Sequence, residues 1–170
     1  MYRMVFDVES IGLHGEGFAV GWVVIDDSGA RVAERMYACD PEQARGTYTS
    51  HDWVHQNVAI DKITHPSTAE VRAAFWIDWL HWRGEGAQLW ADCAWPVEAR
   101  FLIACIEDNH GSREWNGPYP LHDIATLALA AGSDPLKTWN RNPDELPAHS
   151  PLMDARQSAR ILHMLLTAVG

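Results

Sequence analysis

Alternation of apolar and polar positions marks the front of the chain. Over residues 2–8, Met4, Phe6 and Val8 fall on one side of an extended backbone and Val5, Asp7 and Glu9 on the other, which predicts a strand. A glycine-rich turn from Gly12 to Gly17 follows. Phe18–Ile25 and Arg31–Cys39 read as two further strands joined by the hairpin turn Asp26-Asp27-Ser28-Gly29. Three strands with short connections imply an antiparallel meander.

The signal is weak from Asp40 to Pro66, where the pattern supports a loop with a short helix around Asp52–Val58. Helical signals return at Ser67-Thr68-Ala69-Glu70, which has the form of a capping box, with a helix running to Arg83 and Gly84 just past its end. Apolar residues cover most of that helix's circumference, so burial on more than one side is expected. Ala87–Asp92 is a short strand. Pro96 opens the next helix at its first position, and the helix continues to about Asp108. Pro118–His122 reads as another short strand, with Asp123 capping a helix that ends before Gly132. After a polar segment, Ser133–His149, the last helix begins with Ser150 as cap and Pro151 in first position and runs to about Ala168. No repeat, low-complexity tract or linker divides residues 1–170, so one domain is expected.

Four acids sit where this pattern expects apolar or neutral residues. Asp7 and Glu9 share one face of a strand that otherwise looks buried, and such a pair needs water or a cation. On the last helix Asp154 projects with Ser158, Ile161 and Leu165. On the helix opened by Pro96, Glu98 lies with Leu102 and Cys105. A helix dipole favours acids in first turns by about 0.3–1 kcal/mol, which accounts for their early positions but not for an inward face. Asp92, at the end of the preceding strand, competes with Glu98 for the same place. Acids converging from a strand and two helix starts suit Mg2+ or Mn2+. Hydrolysis of a phosphodiester uses two such cations to support the incoming and leaving oxygens. His149, five residues before Asp154 and in a loop, is a candidate base with an unperturbed pKa of about 6.5. It is one of nine histidines, most of which need no function.

Composition narrows the partners. The chain has 170 residues, 47% of them hydrophobic and 21% charged, as in a soluble globular domain. It lacks an apolar run of roughly 20 residues and a secretory leader, so a cytoplasmic protein with no membrane association is expected. The three cysteines lack C-x-x-C spacing, which argues against a disulfide scaffold or a cysteine zinc site. A formal charge of −10 excludes broad basic coating of duplex nucleic acid, though not engagement of a short single-stranded end. Nine tryptophans offer stacking platforms, but Trp76, Trp79 and Trp82 fall in one helix and point to the core.

The motifs resemble those of the DEDD 3′-to-5′ exonucleases of the ribonuclease H-like fold, in the subgroup marked by a histidine. Asp7-Val8-Glu9-Ser10-Ile11-Gly12-Leu13 looks like the family's first motif, D-x-E-[TS]-x-G-L. His149-Ser150-Pro151-Leu152-Met153-Asp154-Ala155 looks like its third, H-x-x-x-x-D-A. The second motif departs from the pattern, with Glu98 where the family has an aspartate four residues before a leucine. Asp123-Ile124-Ala125-Thr126-Leu127 resembles a structural D-T-L segment.

The resemblance implies an α/β fold whose central mixed sheet has three antiparallel strands followed by parallel ones, flanked by helices. It implies two divalent cations, Mg2+ or Mn2+, held by Asp7, Glu9 and Asp154, with Glu98 or Asp92 completing the site and His149 as base. Main chain near Ser10 and Leu13 would contact the terminal nucleotide. The expected activity is 3′-to-5′ exonucleolysis of single-stranded RNA ends or short oligoribonucleotides, as in small enzymes related to ribonuclease T and oligoribonuclease, which are commonly homodimers. DNA as substrate, or a non-catalytic module that binds nucleotides, RNA ends or a protein partner, are the alternatives.

Overall fold

A computed structural model describes residues 1–169. The first three strands, β1 (Arg3–Ser10), β2 (Gly17–Ile25) and β3 (Arg31–Ala38), form the expected antiparallel meander. β1 runs two residues beyond the predicted end, so Asp7 and Glu9 lie inside the strand. β4 (Gln88–Ala91) and β5 (His122–Asp123) join in parallel, giving one mixed sheet in the order β3-β2-β1-β4-β5. β5 is only two residues long and begins where the predicted strand 118–122 was to end, because Asp123 both closes the strand and caps the following helix.

Helices cover both faces. α2 (Thr68–Gly84) and α3 (Val97–Glu107) take the face built on Met4, Phe6 and Val8. α5 (Ile124–Ala130) and α6 (Pro151–Val169) take the face built on Val5 and Val23. The period-2 pattern of β1 therefore feeds two cores, and Asp7 and Glu9 belong to the α6 side. α1 (Tyr48–Asn57) is longer than predicted over 52–58; it buries only Val54, so its sequence carries almost no periodic signal. α4 (His110–Arg113), a single turn, completes the helices among the described residues.

Three local expectations need correction. Pro96 occupies the cap position and α3 starts at Val97. Gly84 ends α2 from inside the helix, and the left-handed residue is Gly86 (φ 78°). α2 is buried along one stripe rather than on more than one side: Phe75, Trp76 and Trp79 face the core, while Ile77 and Leu80 are exposed. Ser67 accepts the Glu70 N–H at 3.4 Å, one half of the capping box. Of the nine tryptophans, four are buried: Trp22, Trp76, Trp79 and Trp90. Among the described residues no helix is long and apolar enough to cross a membrane.

Candidate active site

β4 ends opposite Phe6, so the edge of β1 beyond that point has no strand partner. Backbone donors there need another acceptor. Glu98, buried in the first turn of α3, supplies it: the Val8 N–H donates to Glu98 Oε1 at 3.4 Å. A carboxylate from the neighbouring helix is thereby brought beside the strand, between Asp7 and Glu9.

The opposite face is assembled by close backbone approach. Gly21 pairs with Asp7 across β1 and β2, and a Cβ at Gly21 would stand 2.3 Å from the Leu152 nitrogen and the Pro151 carbonyl carbon. Its missing side chain lets the first turn of α6 rest directly on the sheet, which carries Asp154 to the acids of β1. Gly17 serves α3 in the same way, since a Cβ there would meet Phe101 and Val8 at 2.9 Å.

The gathered carboxyls change one another's acidity. Asp7 is raised well above the ordinary carboxyl range, first by loss of water and then by the charges of Glu98, Asp154, Glu9 and Asp92. Burial, Asp154 and Glu98 push Glu9 up to about 8. Burial pushes Glu98 up to about 7 against the opposing hydrogen bonds from backbone N–H groups. Asp154 is raised by burial, with Arg141 and His149 opposing. Like charges crowded in low dielectric take up protons unless a cation joins them.

Asp92 is also raised, by burial, Asp123 and Asp154. It adds to the Asp7 shift but has no part in that of Glu9, to which Glu98 contributes. Glu98 thus has the more intimate place, held to the strand by a hydrogen bond; Asp92 stands on the Asp123 side of the cleft.

His149 comes to the same cleft. Its backbone is left-handed (φ 56°), its N–H donates to Asp154 Oδ2 at 3.1 Å, and its carbonyl accepts the Ala59 N–H at 2.8 Å. One ring nitrogen of His149 and one carboxylate oxygen each from Glu9 and Asp154 lie within 4.8 Å of one another. Trp53 of α1 meets the exposed imidazole edge-on, with ring centroids 5.3 Å apart. Ser10 spends its hydroxyl on the Gly12 carbonyl at 2.8 Å, while the Leu13 side chain is open to solvent.

Sequence reasoning missed Arg141. Its Nη1 stands 2.6 Å from Asp154 Oδ1, the nearest positive charge to the acids. Apart from this ion pair, Asp154 Oδ1 is buried and accepts no hydrogen bond. Asp123 was read as a cap and as part of a structural segment. It accepts the Thr126 N–H at 2.6 Å and also the Ala94 N–H at 2.7 Å, so it fixes the segment between Asp92 and α3. A separate cleft of about 580 Å3, lined by Glu16, Arg45, Arg72, Arg100 and Phe101 among others, contains none of the five acids.

The carboxylate set fits hard divalent cations. It is all oxygen, and its carboxyls are raised by burial and by one another's charge, which a bound cation would offset.

No protein-family model matches the chain. No curated protein matches it in sequence. Among solved structures, the crystal structure of a full-length 3′-exonuclease is similar over 98% of this chain and 81% of its own, with TM-score 0.56 and 14% identity. At that identity the likeness is one of fold, and with the mixed sheet and its flanking helices it gives this chain the ribonuclease H-like architecture.

Proposed function

We propose that the chain is a metal-dependent 3′-to-5′ exonuclease that acts on single-stranded RNA 3′ ends or short oligoribonucleotides and releases nucleoside 5′-monophosphates. The observation that carries this reading is the gathering of Asp7, Glu9, Glu98 and Asp154 at one end of β1, where burial raises all four carboxyls and neighbouring carboxylates raise Asp7 and Glu9 further. A fold shared with a 3′-exonuclease supports the same chemistry.

Asp7, Glu9 and Asp154 would hold one cation. A second cation would share this carboxylate cluster, with Glu98 completing the set in preference to Asp92 because of its bond to the Val8 N–H. Mg2+ or Mn2+ bound there supplies positive charge to the attacking and leaving oxygens of the phosphodiester. His149 takes the proton of the attacking water at a ring nitrogen. Its left-handed backbone and the bond from its N–H to Asp154 fix where that ring starts. Main chain around Ser10 and Leu13 is left to receive the terminal nucleotide, because the Ser10 hydroxyl is engaged locally. Recognition of a 2′-hydroxyl would separate RNA from DNA substrates.

Incubation with matched RNA and DNA 3′-overhang substrates and Mn2+ tests the proposal. Stepwise shortening of the RNA from its 3′ end is expected, reduced on the order of 100- to 1,000-fold in Asp7→Asn and to a similar degree in His149→Ala. Shortening of DNA alone would reassign the substrate. Absence of shortening on every substrate would leave a non-catalytic module of the same fold.

A further inference from the structure

A second cluster of metal-binding side chains lies between β3 and α1. Pro41–Gln43 forms a 3-10 turn in which Asp40 accepts the Glu42 N–H at 3.0 Å, and Thr47 caps α1 by accepting the Ser50 N–H at 3.3 Å. Both ends of the connection are therefore fixed. His51 and His55, one helical turn apart, share a face of α1. Glu42 Oε1 stands 2.7 Å from His55 Nε2 and 3.8 Å from His51 Nδ1. One donor atom from each of the three residues lies within 4.8 Å of the other two.

The ion pair between Glu42 and His55 leaves one group unexplained. His51 Nδ1 is buried and has no hydrogen-bond partner, a costly state for a ring nitrogen that either accepts or donates. A cation bonded to all three residues would engage this atom and the carboxylate together. Two imidazoles and one carboxylate suit a borderline dication such as Zn2+, unlike the all-oxygen cleft at β1. Zinc bonds of 2.0–2.1 Å in a tetrahedron set donors about 3.3 Å apart. Opening the 2.7 Å contact and closing the 3.8 Å one by about half an ångström each reaches that spacing, and the exposed Glu42 side chain is free to adjust. Solvent would complete the fourth position.

We infer that Glu42, His51 and His55 form a binding site for a Zn2+-class cation that clamps the turn after β3 to α1. The clamp bears on the neighbouring cleft through two contacts. α1 carries Trp53, edge-on to His149, and the chain leaving α1 holds the His149 carbonyl through the Ala59 N–H. The binding site itself does not depend on nuclease activity.

The test uses the full chain with Asp7→Asn and Glu9→Gln, so that the acidic cleft does not compete. Zn2+ and Co2+ are titrated by calorimetry, and the imidazole resonances are followed by NMR. One equivalent is expected to bind, with the signals of His51 and His55 moving and that of His163 staying in place. Co2+ is expected to give visible d–d absorption. Glu42→Gln, nearly isosteric, and His55→Ala are each expected to weaken binding at least about tenfold while melting in chelator as the parent does. Resonances of His51 and His55 unmoved by excess Zn2+, or affinity unchanged in Glu42→Gln, would overturn the inference and leave the cluster as an ion pair.

Discussion

Glu9 and Glu16 stand seven residues apart on either side of one turn, and their carboxyls shift in opposite directions. Burial pushes both upward. Around Glu9 the neighbours are Asp154 and Glu98, and the pKa reaches about 8. Around Glu16 hydrogen bonds from Arg72, Thr68 and Arg45 more than offset burial and hold it at about 2. Arg72 reaches Glu16 through Nη1 at 2.8 Å and grips Asp108 with Nε and Nη2 at 2.6 and 2.9 Å, and its own pKa is raised in return. One region is a finished ion network that locks α2 to the β1–β2 turn and to the end of α3. The other is an unfinished one, whose missing positive charge is supplied in part by Arg141. The difference teaches that a buried carboxylate is structural where its cation is built in and is available for chemistry where it is not.

The comparison breaks most sharply at Arg72. Arg72→Ala leaves Glu16 and Asp108 facing one another without their shared partner, and a loss of about 3–5 kcal/mol is expected, a fall in Tm of roughly 6–20 °C by thermal melting. Neutralising Asp7 or Glu9 is not expected to destabilise the metal-free protein, because each removes a buried charge that its carboxylate neighbours repel.

Gly21→Ala tests whether the cleft depends on backbone approach rather than on ion pairs. The added methyl collides with main chain at Pro151 and Leu152, so α6 must lift from the sheet. About 1–3 kcal/mol of stability is expected to be lost on denaturant melting, with a disproportionate loss of Mn2+-dependent exonuclease activity as Asp154 retreats from Asp7. Activity retained in full at lowered stability would show that α6 is not what completes the site.

The smallest effect is also the most diagnostic, since its sign differs between the regions. Glu9 has a folded-state pKa of about 8 against an ordinary 4.5, so in chelator its contribution is full below pH 4.5 and is lost as pH rises to 8. Glu16, at about 2 against 4.5, contributes above pH 4.5 and loses that contribution as pH falls toward 2. At pH 8 in chelator, Glu9→Gln is expected to raise stability and Glu16→Gln to lower it, each by about 1–2 kcal/mol in urea melts. Adding Mn2+ is expected to reverse the sign for Glu9→Gln and leave Glu16→Gln unchanged.

Much of the architecture was legible because it rests on local periodicity. The alternation in β1, the hairpin turn at Asp26–Gly29 and the proline that begins α6 each act within a few residues, and each element appears. The inward acids were legible for the same reason: Asp154 follows the face of Ser158, Ile161 and Leu165, all of which are buried. α1 was legible only as a short helix around 52–58, because a polar helix with one buried residue has no apolar stripe to mark its length. Arg72 escaped because a charge within an apolar helix looks like an exposed position until Glu16 and Asp108 arrive from other elements. Gly21 looked like an ordinary strand glycine, since only a helix 130 residues later gives its missing side chain a purpose.

By itself the sequence determined the strands, the main helices and which acids turn away from solvent, since hydrophobic period and capping are properties of neighbouring residues. Only the tertiary structure decided what those acids are. Whether a carboxylate withdrawn from solvent lies beside Arg72 or among other carboxylates depends on packing between distant elements, and at short range in low dielectric that choice of partner sets the sign of the shift.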